Sequence, residues 1–232
     1  MRLRRYIFAS IPEIPRPVRC SNDSMPIRNL ILDLGGVLFA IDYRRPVDAF
    51  RKLGFPEFQR QFSQQEQHHF FDDFEKGLIT IPVFRDRLRS FTSLPVSDQA
   101  IDAAWNSILV GFPDDSRQLL ERLQGKYRLF LLSNTNALHE IAFRKMIREQ
   151  HGADLLDELF EKVYLSHRIH QRKPDRDAFD LVMNDAGLDP DETFFVDDSP
   201  QHVKGAELAG IHAAWLELPK STTILLEELK LL

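Results

Sequence analysis

The strongest constraint on the fold is a series of short apolar runs that alternate with helix-like patterns. The first run, residues 30–34, ends at a pair of glycines. Runs of this length are typical of strands buried on both faces of a parallel sheet, and helical connections between them favour right-handed βαβ units. The predicted strands are residues 30–34, 127–132, 162–165, 193–196 and 211–216. The sequence therefore predicts an α/β protein with a Rossmann-like open parallel sheet and helices on both faces.

The alternation is interrupted between the first and the second predicted strand. Residues 43–111 contain no convincing strand pattern but about four helical ones. Thr80 and Ser97 are predicted N-caps, and Ser97 precedes a helix expected at residues 98–110. We therefore expect a Rossmann-like core at residues 25–42 and 112–232, and a helical cap at residues 43–111, called the insert below. Ligands of open parallel sheets bind beyond the carboxyl ends of the strands. An insert that leaves the end of the first strand is placed to cover that site.

Composition narrows the environment and the partners. Residues 1–24 hold five arginines and three prolines, which predicts a disordered tail; Met25, just after it, is a second candidate start. The net charge of −5 does not favour nucleic-acid binding. No apolar run approaches the roughly 20 residues of a membrane span. The single cysteine, Cys20, excludes an internal disulfide. We expect a cytoplasmic protein without a nucleic-acid or membrane partner.

Polar clusters follow four of the predicted strands. Each cluster alone is typical of a turn or a helix cap, but the carboxyl ends of parallel strands meet in one crevice. Adjacent carboxylates repel one another unless a cation or hydrogen-bond donors hold them. The clusters are Asp33 with Gly35 and Gly36, Ser133 with Asn134, Lys173 with Pro174, and Asp197 with Asp198. Together they predict a phosphate site.

The acidic residues of these clusters form the predicted metal centre. Mg²⁺ prefers hard oxygen ligands and usually takes one or two protein carboxylates together with water and substrate phosphate. We expect Asp33, Asp198 and the Gly35 carbonyl to be its ligands. Asp197 is expected to orient a metal-bound water.

The remaining predicted residues act on the phosphoryl group. Asp33 can attack phosphorus as a carboxylate nucleophile, which forms an aspartyl phosphate. Ser133, with the neighbouring main chain at Asn134 and at Gly36, is expected to hold the phosphate oxygens. Lys173 is expected to neutralise charge between the nucleophile and the phosphoryl group. The predicted catalytic residues are therefore Asp33, Ser133 and Lys173.

Four motifs carry a resemblance to a known family. They are LDLGGVLF at 32–39, LLSNTN at 131–136, RKPD at 172–175 and FVDDSP at 195–200. From about Met25 onward the chain resembles the haloacid dehalogenase superfamily of phosphohydrolases, in subfamily I with a helical C1 cap after the first motif. In the insert, FEKG at 74–77 and WN at 105–106 are similar to bacterial sugar-1-phosphate (α-D-glucose-1-phosphate) phosphatases. The resemblance implies the fold, Mg²⁺ dependence and a small phosphorylated metabolite, such as a sugar phosphate or nucleotide, as substrate.

One position departs from most phosphatases of this family. They carry a second aspartate two residues after the nucleophile as general acid/base, where this chain has Gly35. Such a group typically contributes about 10²–10⁴ in rate, and His139 and His167 are candidates to replace it. Two alternatives stay open: a member that binds a phosphorylated ligand or a partner protein without strong catalysis, and a metal-free 2-haloacid dehalogenase. The oligomeric state and the substrate also stay open.

Further residues are predicted near the boundary between insert and core. His170 and Arg172 precede the site lysine and are expected to add positive potential near the phosphate. His68 and His69 face different sides of a predicted helix, so a shared metal site is not expected there. The predicted boundary residues are Phe39, Tyr43, Arg44, Phe74 and Trp105.

Overall fold

The structure is a computed structural model that describes residues 26–55, Phe58 and residues 69–232. The predictions for residues 1–24, for Met25 and for the pair His68 and His69 lie outside the described side chains. The strands are β1 Asn29–Leu32, β2 Ala40–Ile41, β3 Leu109–Gly111, β4 Arg128–Ser133, β5 Lys162–Leu165, β6 Thr193–Asp197 and β7 His212–Trp215.

The described helices divide between the insert and the core. Those of the insert are α1 Arg44–Lys52, α2 His69–Glu75, α3 Ile81–Arg89 and α4 Asp98–Asn106. Those that follow are α5 Asp114–Leu123, α6 Ala137–His151, α7 Leu155–Leu159, α8 Ser166–Ile169, α9 Arg176–Ala186, α10 Pro200–Leu208 and α11 Thr222–Glu228, with a 3₁₀ turn at Pro190–Glu192. Among the described residues, no helix has the length and hydropathy needed to cross a membrane.

Five parallel strands form the central sheet in the order β5-β4-β1-β6-β7, which confirms all five predicted strands. The residues of β1 alternate between the two faces, because successive side chains of a strand point to opposite sides. Leu30 and Leu32 pack with α5, α6 and α11, whereas Ile31 packs with α9 and α10. β1 lies in the middle of the sheet, so its carboxyl end is flanked by those of β4 and β6.

A short antiparallel pair corrects the prediction that residues 43–111 contain no strand. The helix expected at 98–110 ends at Asn106, and β3 then pairs with β2. The Asp42 N–H donates to the Ile108 carbonyl at 2.9 Å. The apolar residues before β3 continue the helical spacing of α4, which favours a longer helix. The strand that pairs with β3 lies about 70 positions earlier in the chain, so a local sequence pattern cannot predict the pairing.

The helices of the insert share an aromatic core of their own. Phe50, Phe71, Phe74, Phe84 and Trp105 are buried together, separately from the clusters on the two faces of the sheet. Aromatic side chains bury large apolar areas and dominate such cores. Ser97 caps α4, as predicted, by accepting a hydrogen bond from the Ala100 N–H, while Thr80 precedes α3 without a side-chain cap bond. The exact division into core and cap stays a prediction.

Candidate active site

The carboxyl ends of the central strands gather the predicted acidic residues. Asp33 follows β1, Asp197 is the last residue of β6, and Asp198 comes next. Carboxylate oxygens of these three residues lie within 4.8 Å of one another. They are called the acid cluster below. Ser133 is buried at the end of the adjacent strand β4.

Lys173 is wholly buried and bridges two members of the acid cluster. Its Nζ donates hydrogen bonds to Asp33 Oδ1 at 2.7 Å, to Asp197 Oδ2 at 2.6 Å and to the Leu132 carbonyl at 2.7 Å. Burial alone would lower the pKa of Lys173, but the attraction of Asp197 and Asp33 raises it above its ordinary value. The lysine is therefore a fixed ammonium whose three protons are all bonded.

The acid cluster holds more negative charge than its neighbours balance. Burial, with repulsion from Asp197, raises the pKa of Asp33 even though Lys173 acts to lower it. Burial and then repulsion from Asp33 and Asp197 raise the pKa of Asp198 to about 7. A divalent cation relieves this kind of repulsion, and carboxylate oxygens are the ligands that Mg²⁺ prefers. The residues present therefore fit such an ion.

His202 is a member of this site that sequence analysis missed. Its Nδ1 lies 3.0 and 3.1 Å from the two carboxylate oxygens of Asp197, and the Ser199 N–H donates to Asp197 Oδ1 at 2.8 Å. Burial alone would raise the pKa of Asp197, but Lys173 and His202 lower it. The sequence did contain a sign of this contact. His202 lies in the first turn of the helix that follows Asp197 and Asp198, and the first turn of such a helix lies close to the end of the preceding strand.

The two glycines after Asp33 differ in what they require. Gly36 has φ +78°, and a Cβ there would lie 2.1 Å from Asp198 Oδ2. Gly36 therefore leaves room for the Asp198 carboxylate, a role that the phosphate-binding prediction did not include. Gly35 lies outside the left-handed region, and a Cβ on it would meet Ile41 Cδ1 at 3.3 Å. An apolar methyl thus lies beside the position where an acid/base side chain would start.

Asn134 holds the main chain of the site lysine. Its Oδ1 accepts from the Lys173 N–H at 2.9 Å, and its Nδ2 donates to the Lys173 carbonyl at 2.8 Å. The side-chain amide is thus engaged with protein on both sides. The main-chain N–H of Asn134 stays the predicted phosphate donor.

Ser166 connects the same two loops and was not predicted. Its Oγ accepts from the Thr135 N–H at 2.9 Å and donates to the Thr135 carbonyl at 2.8 Å, and Ser166 is fully buried. A serine at the start of a helix usually indicates an N-cap. The sequence around Ser166 therefore gave no sign of its contact with Thr135.

His139 joins the insert to the core instead of supplying a proton. Its Nδ1 lies 3.0 Å from Asn136 Nδ2, its Nε2 lies 3.3 Å from the Trp105 carbonyl, and its ring stacks on Trp105. The neutral ring with its proton on Nε2 satisfies both bonds. Burial lowers the pKa of His139 to about 4. The hypothesis that this residue replaces the missing acid is therefore wrong for a ring held in this way, whereas Trp105 does lie at the boundary.

His167, the other candidate, belongs to a second buried carboxylate. Glu140 Oε2 lies 2.9 Å from His167 Nε2 and accepts from Arg168 Nε at 2.9 Å, while Glu140 Oε1 accepts from Arg144 Nε at 2.8 Å. Burial alone would raise the pKa of Glu140, but these partners lower it to about 2. Glu140 with His167, Arg144 and Arg168 is called the Glu140 cluster below.

The structure also corrects the prediction that Arg172 adds free positive charge before Lys173. Arg172 forms ion pairs with Asp72 and, through Nη2, with Glu75 Oε2 at 3.0 Å. His170 Nδ1 lies 2.8 Å from the Lys76 carbonyl. Both residues contact the insert, and Arg172 is a paired cation there.

A parallel sheet that gathers a carboxylate, a buried lysine and an acid pair at its carboxyl edge defines a class of hydrolases with a cation-binding active site. Residues 27–210 match the model of the haloacid dehalogenase-like hydrolases. The chain belongs to this family.

Individual relatives lie within the same family. The chain is 30% identical over 187 residues to the D-ribitol-5-phosphate phosphatase of Bacteroides thetaiotaomicron, which covers 78% of this chain and 88% of the relative. A variant of a haloacid dehalogenase family enzyme from Bacteroides thetaiotaomicron, solved with magnesium and inorganic phosphate, superposes with a TM-score of 0.82 at 40% identity, over 86% of this chain and 98% of that one. An L-2-haloacid dehalogenase from Xanthobacter autotrophicus, at 22% identity and a TM-score of 0.55 over 88% of this chain and 82% of that one, shares the fold.

Proposed function

We propose that the protein is a Mg²⁺-dependent phosphatase that hydrolyses a small phosphorylated metabolite through a phosphorylated Asp33. The observation that carries this proposal is the buried Lys173 between Asp33 and Asp197, with Asp198 beside them. Two relatives support it: one is named a phosphatase, and the other was solved with magnesium and inorganic phosphate.

The first half-reaction transfers the phosphoryl group to the protein. An Asp33 carboxylate oxygen attacks phosphorus, the ester P–O bond breaks, and the leaving oxygen gains a proton. Lys173 favours the ionised form of Asp33 against the effect of burial. In-line attack from the floor of the site places the leaving group on the opposite side, toward the insert.

The second half-reaction regenerates the nucleophile. Water attacks phosphorus and the bond to Asp33 breaks; inorganic phosphate leaves as the hydrogen phosphate dianion with one proton of the water, and the other proton passes to solvent. We propose that Asp33, Asp198 and the Gly35 carbonyl hold Mg²⁺, and that Asp197 orients a water beside them. Bound Mg²⁺ would supply positive charge that offsets the carboxylates and the phosphoryl oxygens.

Ser133 and the main-chain N–H of Asn134 are the proposed phosphate-binding groups. Gly36 was predicted with them, but its N–H donates to the Phe39 carbonyl at 2.9 Å. Gly35 provides no proton donor, and the neutral His139 is already hydrogen-bonded on both nitrogens. We therefore propose that the leaving oxygen takes its proton from solvent or from the substrate itself. The insert, residues 43–111, is the proposed cap over a small substrate.

The test measures phosphate release from p-nitrophenyl phosphate and from a panel of sugar phosphates, polyol phosphates and nucleotides, with Mg²⁺ or with EDTA. We expect release only with Mg²⁺, and a loss of at least about 10³-fold in Asp33→Asn at an unchanged fold. Binding of these compounds without any release would indicate a non-catalytic member. Halide release from 2-chloropropionate in EDTA would indicate a dehalogenase.

A further inference from the structure

The two adjacent aspartates of the acid cluster are held in different ways. Three groups contact the Asp197 carboxylate, namely Lys173 Nζ at 2.6 Å, the Ser199 N–H at 2.8 Å and His202 Nδ1 at 3.0 Å. Across the part of the chain that the structure describes, no ion pair or hydrogen bond from another residue reaches the Asp198 carboxylate. The position of this carboxylate therefore depends on the main chain that carries it.

The main chain at Asp198 departs from the regular pattern of the sheet. The Val196 carbonyl accepts from the residue after β1 at 3.0 Å, and the Asp197 carbonyl accepts from the residue after β7 at 2.9 Å. If β6 continued, this alternation would turn the Asp198 carbonyl back to the side of β1. Instead, this carbonyl accepts a hydrogen bond from the indole of Trp215, with Nε1 at 3.0 Å.

The register of β7 places Trp215 for this bond. Trp215 is the last residue of β7, which is an edge strand of the sheet, and it lies opposite Asp197. Its indole nitrogen donates and cannot accept, and it belongs to a rigid ring. The bond therefore restrains the orientation of the peptide that joins Asp198 to Ser199.

A second restraint acts on the other side of the same peptide. Pro200 begins α10, and a proline disfavours the helical conformation of the residue before it. Ser199 is accordingly extended, with φ −103° and ψ 117°. The main chain of Asp198 is thus fixed by the Trp215 ring before this peptide and by the proline after it.

This main-chain geometry brings the Asp198 carboxylate close to the nucleophile loop. A Cβ on Gly36 would lie 2.1 Å from Asp198 Oδ2, and carboxylate oxygens of Asp33, Asp197 and Asp198 lie within 4.8 Å of one another. Carboxylates at this separation repel one another, so a free Asp198 side chain would turn away. A group that is held in place before an ion binds lowers the cost of ordering the site on binding.

We propose that Trp215 is a positioning residue for Mg²⁺, because its indole N–H holds the Asp198 peptide so that the carboxylate faces Asp33 before the ion binds. This inference rests on the proposed function, in which Asp198 is a ligand of the ion. It adds a residue that lies outside the four motifs and sets the affinity for the metal from the edge of the sheet.

The test measures the dissociation constant of Mg²⁺ in two ways, from the rise of the melting temperature with Mg²⁺ concentration and from the Mg²⁺ dependence of p-nitrophenyl phosphate release. Trp215→Phe keeps an aromatic ring and removes the N–H. We expect the constant to increase about 10-fold in both measurements, while kcat at saturating Mg²⁺ changes by less than about 2-fold. A purely structural role would lower the melting temperature without metal and leave the constant unchanged.

Tyr164→Phe is the matched control. Tyr164 lies on β5, the opposite edge strand, and its hydroxyl donates a single hydrogen bond to Asp185 Oδ2 at 2.6 Å. Loss of this bond should leave the Mg²⁺ constant unchanged. If Trp215→Phe does not fold, benzothienylalanine at position 215 replaces the N–H with sulfur in a ring of the same shape, and the constant should again increase about 10-fold.

An unchanged Mg²⁺ constant in the position 215 variants, or an equal increase in Tyr164→Phe, would overturn the inference and leave the phosphatase activity in place. Absence of Mg²⁺-dependent phosphate release from the unmodified protein would overturn the proposed function. The constants from the melting temperature would then still decide the role of Trp215, so the two failures are distinct.

Discussion

Two buried acidic centres of this protein contain similar groups and have opposite electrostatics. The acid cluster has three carboxylates. Lys173 contacts two of them, His202 contacts Asp197, and the pKa of Asp198 rises to about 7. The Glu140 cluster has one carboxylate that three basic side chains contact, and its pKa falls to about 2.

The difference lies in the number of cations that each centre already has. Burial penalises every charge, so a buried carboxylate is stable only where partners offset that penalty. The Glu140 cluster contains its own partners and joins α6 to α8. The acid cluster lacks positive charge, which favours the binding of a cation, and for this reason we propose it as the functional centre.

The largest effect is expected from Asp198→Asn. Phosphate release with Mg²⁺ should fall by at least about 10³-fold, because a proposed metal ligand is lost. Without metal the variant should melt a few degrees higher than the parent, since one of three repelling carboxylates is gone (~1 kcal/mol). The folded pKa of about 7 exceeds the ordinary 3.8, so the parent loses stability as pH rises through this window and the variant does not.

Melting curves in EDTA at pH 5 and pH 8 check the stability, and an assay with excess Mg²⁺ checks the activity. Retained activity in Asp198→Asn would remove this residue from the metal site.

Glu140→Gln should have the opposite signature. Arg144, Arg168 and His167 would lose their common acid, at a cost of about 3 kcal/mol and a fall of about 6–12 °C in Tm. The folded pKa of about 2 lies below the ordinary 4.5, so the contribution is present above pH 4.5 and is lost as pH falls toward 2. Thermal unfolding between pH 3 and pH 7 measures it. An unchanged Tm at pH 7 would contradict the structural role.

Gly35→Asp would add to the acid cluster the proton donor that it lacks. The backbone accepts a Cβ there, and the Ile41 side chain needs to shift only slightly. We expect turnover of alkyl phosphates to rise about 10-fold relative to p-nitrophenyl phosphate, whose leaving group needs no proton. Gly36→Ala is the matched contrast: its Cβ would meet the Asp198 carboxylate, so Mg²⁺-dependent activity should fall. An unchanged ratio of alkyl to aryl turnover in Gly35→Asp would show that proton transfer is already provided.

The smallest effect concerns the junction at His139. Its folded pKa of about 4 lies below the ordinary 6.5, so the unfolded chain binds the proton first and stability falls as pH drops from 6.5 toward 4. The loss is about 1.4 kcal/mol per pH unit at most. In His139→Gln, the fall in Tm between pH 7 and pH 5.5 should be smaller than in the parent by a few degrees. An identical pH dependence in both proteins would show that the ring is not held in its neutral form.

The sequence alone determined the sheet and the position of the acid cluster. A buried parallel strand appears as a continuous apolar run, and the residue after it lies at the carboxyl edge of the sheet. Asp33, Ser133 and Asp197 could therefore be assigned to one crevice from the order of residues alone, because each assignment depends on neighbours in the chain.

Only the tertiary structure decided which charges are neutralised. Arg172 was expected to attract phosphate, but Asp72 and Glu75, about 100 positions away, pair with it. His167 looked like a proton donor until α6 placed Glu140 beside it, and the contacts of Ser166 with Thr135 and of His202 with Asp197 were not predicted. The state of a charged side chain depends on partners that distant segments bring near it, and hydrophobic period and local motifs do not encode those partners.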